Sequence, residues 1–218
     1  MTTLANGQQL TSLRLTLPYS GRILAEATAG EPIALVAGLL TFLLGDLSVV
    51  TSPMRSGEFA GQWSAEAIGG RGGWGKVIPA KGYQSPIGVL NAQVFADAAL
   101  TCGEFPPVVQ VPQFLPQFYE RRRGPAARVF ETLDGGQIWW IDGAGVAQVG
   151  FRPPTVVTAP FDLIECDKSR GRLVIATDSP AAFAPGATFI DPMAGPFTIN
   201  AVVWTSNAQS LRGEVWTR

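Results

Sequence analysis

Leu10-Thr11-Ser12-Leu13-Arg14-Leu15-Thr16-Leu17 is the stretch that decides the structural class. Leu13, Leu15 and Leu17 alternate with Arg14 and Thr16, so an extended backbone puts the leucines on one face and the polar residues on the other. That period of two is the signature of a half-buried β-strand. Pro18, Ser20 and Gly21 follow as a turn. Working outward, short strands are expected at Ile23–Ala27 and Pro32–Val36, around Ala29-Gly30. Leu39–Leu44 and Leu47–Thr51 read as a hairpin through Gly45-Asp46 whose apolar residues fall on both faces, the pattern of a strand covered on both sides. Phe59–Ile68 resumes the alternation through Trp63, Ala65 and Ala67. About five or six short strands in succession predict a small barrel over residues 1–68.

Beyond residue 68 the texture changes. Gly69-Gly70-Arg71-Gly72-Gly73-Trp74-Gly75 fits no single regular element and reads as a loop or bulged ribbon. A helix is expected next, with Ser85 as N-cap, Pro86 at its first position, a run through Val89, Leu90, Val94, Ala98 and Leu100, and Gly103 as its stop. Pro106, Pro107, Pro112 and Pro116 make Phe105–Phe118 an extended connection. A second helix runs from Gly124-Pro125 to Gly135-Gly136. Gln137–Ile141 and Val146–Phe151 pair across Asp142-Gly143-Ala144-Gly145. After Pro153, Pro154 and Pro160 come a hairpin of Phe161–Asp167 with Arg172–Thr177 and last strands at Phe197–Thr205 and Ser210–Trp216, a second barrel-like region. The predicted class is therefore mainly β with minor α: barrel-like domains at 1–68 and 153–218 flanking a Gly-rich loop and α+β region at 69–152.

Composition bounds the function. The 218 residues are enough for a large core. They are 46% hydrophobic and only 15% charged, against a usual charged share of roughly 25%, so part of the apolar surface is expected to meet a partner. A net charge of -1 gives no electrostatic basis for sequence-specific nucleic-acid binding. The chain has no histidine, which removes Ser-His-Asp and Cys-His hydrolases and histidine-dependent zinc sites on chemical grounds. Met1–Gln9 lacks the charge, apolar run and cleavage site of a secretory signal, so synthesis in the cytoplasm is expected. Ile33–Leu44 is far shorter than the roughly 20 residues that span a bilayer. Cys102 and Cys166 stand in no metal-ligand spacing and read as reduced, buried thiols, with a disulfide left open.

Few motifs carry chemistry. Gly70–Lys76 has phosphate-loop spacing, but Val77-Ile78-Pro79 follows where a Ser or Thr and a helix are needed, so no nucleotide cofactor is expected. The glycines instead let the backbone pass close to a neighbour or take positive φ, while Trp74 anchors the loop by packing. Glu165 and Asp167 share a strand face, as a glycosidase pair would, but beside Lys168, Arg170 and Arg172 they read more simply as cross-strand charge pairs. Arg121-Arg122-Arg123 is expected to salt-bridge a partner or acids of its own chain. Trp139-Trp140 sends one indole to each strand face, one to the core and the other, Trp140, to an interface. The expected interface anchors are Trp74, Trp140, Arg121, Arg122 and Arg123, with no catalytic, cofactor or metal residues.

The order Ile68-Gly69-Gly70, Trp74-Gly75-Lys76, Tyr83, a helix ending Cys102-Gly103-Glu104, then Trp139-Trp140-Ile141-Asp142 and Gly145-Val146 resembles tail hub proteins of contractile and related phages. These share a fold with type VI secretion spike hubs. The resemblance covers residues 10–150. It implies two small barrels around an α+β portion, three copies forming a pseudo-six-fold ring, and a role in joining the six-fold tail tube to a three-fold spike. The partners it implies are further copies of the chain and the tube, spike and tape-measure proteins, in a virion tail made in the host cytoplasm. The chain is short for such hubs, leaving no room for the receptor-contacting or lysozyme-like portion of some relatives. Two other readings stand beside it: a carbohydrate-binding β module of a tail fibre or cell-surface protein, and a carboxylate-dependent cell-wall hydrolase.

Overall fold

The computed structural model describes residues 2–133, 136–191, 195–207 and 210–217. The first segment contains β1 (Thr3–Ala5), β2 (Gln8–Gln9), β3 (Ser12–Pro18), β4 (Leu24–Ala29), β5 (Leu40–Leu44), β6 (Leu47–Phe59) and β7 (Gln62–Gly69). The middle holds β8 (Val77–Ile78), β9 (Lys81–Gln84), β10 (Val89–Leu90), α1 (Asn91–Cys102), β11 (Val108–Val109), β12 (Phe114–Leu115), β13 (Phe118–Arg121), β14 (Gly124–Pro125), α2 (Ala126–Leu133), β15 (Ile138–Ile141) and β16 (Ala147–Gly150). The last segment adds β17 (Thr155–Val156), β18 (Asp162–Asp167), β19 (Arg172–Ala176), β20 (Ala187–Asp191), β21 (Gly195–Asn207) and β22 (Leu211–Thr217). The protein is mainly β, and neither helix is long and apolar enough to cross a membrane.

Strands from both ends of the chain lie in one 13-stranded sheet, in the order β18-β19-β22-β21-β3-β4-β7-β6-β5-β1-β2, with β20 on β21 and β17 on β20. The decisive pairing is β3 with β21, antiparallel from Ala201↔Pro18 to Asn207↔Ser12. The sequence predicts a barrel at each end; instead the order runs open from β18 to β2, and no barrel closes among the described residues. Curvature comes from two 13-residue strands, each serving different partners with its two halves. β6 pairs with β5 up to Thr51 and with β7 from Thr51 onward, and β21 pairs with β20 through Thr198 and with β3 from Ala201. Register shifts beside Met54 and Asn200 put a bulge in each, which bends a strand and raises its twist.

Alternation does what the sequence predicts on the inner face, where Leu13, Leu15, Leu17, Ala25, Ala27, Trp63, Ala65 and Ala67 are buried. The hairpins at Gly45-Asp46, Asp142–Gly145 and Lys168–Gly171 also form where expected. Pro32–Val36 does not form a strand. Ala37 and Gly38 turn the chain in the left-handed region, leaving only an isolated bridge from Val36 to Leu39. Asn6 Nδ2 donates to the Ala34 and Leu39 carbonyls, so a side chain replaces a strand ladder. The first helix starts at Asn91, not at Ser85-Pro86. Ser85 opens a turn closed by the Gly88 amide, and Val89 and Leu90 are held extended against Leu115 and Phe114, with Asn91 hydrogen-bonded to Gln113, which delays the helix. Gly103 ends α1 as predicted, at a φ of 90°.

The middle segment is fastened to the sheet at one corner. The Gly21 and Gly69 amides donate to the Trp139 and Ile23 carbonyls, and Val50 donates to Gly143. Arg152, just after β16, donates through Nε to Tyr19 O (2.9 Å) and through a terminal nitrogen to Pro18 O (3.0 Å), while its guanidinium lies 4.8 Å from the Trp140 ring centroid. Burial pulls its pKa down to about 10, leaving it a cation at neutral pH. Replacing Arg152 with Ala removes two charge-assisted hydrogen bonds and a cation–π contact at once. The expected cost is about 2–4 kcal/mol, read as a lower denaturation midpoint.

Candidate functional site

The Gly-rich loop after β7 folds around an anion supplied by its own chain. The Glu104 carboxylate, next to the stop of α1, accepts the amides of Arg71 (2.8 Å) and Gly73 (2.5 Å). Burial pushes that carboxyl above the usual glutamate range, against the opposing pull of the two amides. The anion cradle suggested by the glycine spacing is therefore filled by Glu104, a residue the sequence reading used only as part of the helix stop. A Cβ on Gly73 would stand 2.4 Å from the Cys102 carbonyl oxygen, and one on Gly70 2.6 Å from Glu104 Oε2. Close approach thus requires glycine at both positions. Trp74 is 0% exposed and packs on Phe130 and Trp139 at centroid distances of 5.2 and 5.6 Å. It anchors the loop, as read from the sequence, but from within this chain's own core.

The other expected anchors separate. Trp139 joins the Trp74 cluster and Trp140, on the opposite face, lies beneath Arg152, so both faces of β15 are covered within the chain and Trp140 is only 7% exposed. Arg121 turns inward and is 2% exposed. One of its terminal nitrogens donates to Asp97 Oδ2 (2.7 Å) and the other to Pro79 O (3.1 Å). Lys81 and the Tyr83 hydroxyl also reach Asp97. Burial alone would raise the Asp97 carboxyl, but the Lys81 and Tyr83 hydrogen bonds and the Lys81 and Arg121 charges hold it below the usual aspartate range. Arg122 and Arg123 stay exposed. With Arg128 of α2 they line a cleft of about 520 Å³.

A second surface spans the sheet. On its outward face Thr205, Arg14, Glu26, Glu66 and Arg55 form one cross-strand row over β21, β3, β4, β7 and β6, and Asn207, Ser12, Thr28, Ser64 and Gly57 form the next. These side chains line a cleft of about 560 Å³. No aromatic residue lines it among the described residues. The middle segment, by contrast, exposes large apolar side chains, including Ile87 (80%), Phe118 (70%) and Phe114.

No family model matches the sequence, and no curated protein matches it. Solved structures do. A tail protein from Neisseria meningitidis MC58 superposes with a TM-score of 0.64 at 10% identity, over 99% of this chain and 95% of that one. The 43 kDa tail protein of prophage MuSo2 from Shewanella oneidensis gives 0.58 at 9% identity, over 100% and 97%. The fold is that of phage tail proteins. A type VI secretion component from Escherichia coli, described as similar to the T4 tail proteins gp27 and gp5, gives 0.59 at 9% identity over 100% of this chain and 77% of that one. This likeness of fold agrees with the resemblance read from residues 10–150.

The remaining candidates fall into place on this fold. Glu165 lies 2.8 Å from Arg172, which also bonds Glu214, and Asp167 accepts the Ser169 hydroxyl and amide. Glu165 and Asp167 are thus engaged within a charge ladder across β18, β19 and β22. Both cysteines are free thiols, but Cys166 is exposed, not buried as expected, because it stands on the edge strand β18.

Asp97→Asn would leave the buried Arg121 guanidinium without its counter-charge, at an expected cost of about 2–4 kcal/mol near neutral pH. The Asp97 carboxyl is depressed in the folded state. Its contribution is therefore present above the unfolded-state pKa and lost as pH falls through the folded one, so the gap between wild type and variant should close in acid. Urea midpoints across an acid-to-neutral series check this. Gly73→Ala, which drives a methyl into backbone, should cost about 1–3 kcal/mol in the same assay.

Proposed function

We propose that this chain is a structural subunit of a phage tail or baseplate, forming a hub ring of three copies that joins the tail tube to the central spike. The observation that carries the reading is the end-to-end likeness of fold to tail proteins and to a type VI secretion component. In this reading residues 1–68 and 153–218 supply the two β parts of each ring segment, joined through β3 and β21, and residues 69–152 supply the helix-bearing part. The row of Arg14, Glu26, Glu66 and Arg55, with its flanking hydroxyls, faces the channel. Balanced charge along that row gives passing DNA or tape-measure protein no single-sign surface to adhere to. The exposed Ile87, Phe114 and Phe118 meet neighbouring copies or the tube and spike, since apolar groups of this size on a surface mark contact sites.

Function here is geometry, carried out in the virion tail after synthesis in the host cytoplasm. The hydrolase reading loses support because Glu165 and Asp167 are held by Arg172, Ser169 and Arg170. A carbohydrate module would set aromatic side chains in its cleft; the sheet cleft has none among the described residues, and the one feature that favours that reading is a smaller cleft lined by Tyr83, Phe118 and Tyr119. Light scattering on the purified chain at two concentrations is expected to give three times the chain mass at both. A monomer at both concentrations would overturn self-assembly of the isolated chain.

A further inference from the structure

Arg122, Arg123 and Arg128 rim a cleft whose floor includes Arg121 and in which Glu120 is the sole lining carboxylate among the described residues. None of the three rim arginines makes an ion pair among the described residues, and the Arg121 Nε has no hydrogen-bond partner there. The surplus is thus cationic, and three exposed guanidinium groups around one cleft favour an anionic partner from outside it.

An opposite surplus lies at the free end of the sheet. Asp162 begins the edge strand β18 and pairs in register with Ala176, the last residue of β19, so Asp178 follows two residues past the end of that strand. Both carboxylates are exposed and line a second cleft, of about 330 Å³, with Phe161, Thr177 and Leu211. No cation lines that cleft, and neither aspartate forms an ion pair among the described residues. The adjoining acids Glu165 and Asp167 are already taken by arginines of the same hairpin.

We infer that the arginine cleft of one copy receives the Asp162 and Asp178 edge of the next, so that subunits associate head to tail through these two surfaces. A carboxylate pair is the ligand chemistry that planar guanidinium donors bind best, and a second copy brings such a pair at fixed spacing. The contact joins unlike surfaces. A heterologous contact of this kind repeats around an axis and can close into a ring, whereas a two-fold dimer would have to satisfy both surfaces at a single interface. It also covers the open edge of β18, where unpaired backbone groups would otherwise face water. This inference rests on the ring reading and names the chemistry of its subunit boundary.

The test measures assembly mass over a dilution series for the wild type, Arg122→Glu/Arg123→Glu, Asp162→Lys/Asp178→Lys, and the variant carrying all four changes. Each double reversal should weaken assembly by roughly a hundredfold or more, because like charges then face one another, and the quadruple change should restore it. Added salt should dissociate the wild type in the same direction. All positions are exposed, so thermal melting of each variant should match the wild type and separate lost assembly from lost folding. A wild-type ring that both double variants keep would overturn this contact and leave the ring standing. A quadruple variant that melts normally but stays dissociated would also overturn it. A wild type that is monomeric throughout would sink the ring and this contact together.

Discussion

Everything in this molecule is arranged around the pairing of β3 with β21. A strand inside a sheet must satisfy backbone groups on both sides, and β3 has β4 on one side only. The partner for its other side arrives from the far end of the chain. That single ladder aligns Leu13, Leu15 and Leu17 with Val202 and Trp204 on a shared inner face and fuses two stretches that look separate in sequence into one sheet. The corner that follows β3 then becomes the fixing point for the middle segment, through Gly21, Trp140 and Arg152.

Local signals in the sequence were good guides to local structure. Alternation located β3 and β7, glycine-bearing turns located the hairpins, and Gly103 marked the end of α1. The sheet's closure was not legible, because a period of two is the same in a barrel and in an open sheet. Which strand meets which edge is settled by contacts far apart in sequence. Ser85-Pro86 shows the same limit on a smaller scale: a sound capping signal was overridden by the extended pairing of Val89 with Leu115 and of Leu90 with Phe114.

The functional surfaces were legible in part for similar reasons. The glycine reading of residues 69–75 rested on steric arguments that hold in any fold, and the observed close approaches at Gly70 and Gly73 obey them. Glu104 was missed as the loop's anion because its partners lie about 30 residues upstream, a distance at which spacing carries no signal. Arg121-Arg122-Arg123 looked like one patch, yet β13 ends at Arg121, which turns in to Asp97, while Arg122 and Arg123 lie beyond the strand on the surface. Trp140 followed the alternation rule correctly, but what lies across from it, Arg152, is a matter of tertiary packing.

The β3–β21 ladder also sets a timetable. During synthesis the first seven strands emerge well before residues 195–207, so β3 leaves the ribosome with one edge bare and leucines on its inner face. Strand pairings between distant parts of a chain form slowly, since a long loop must close before any contact rewards it. For that interval the nascent chain is a sticky half-sheet, open to pairing with its siblings on the same message. The edge of β3 that a sibling chain could take is thus safe only once residues 201–207 have claimed it.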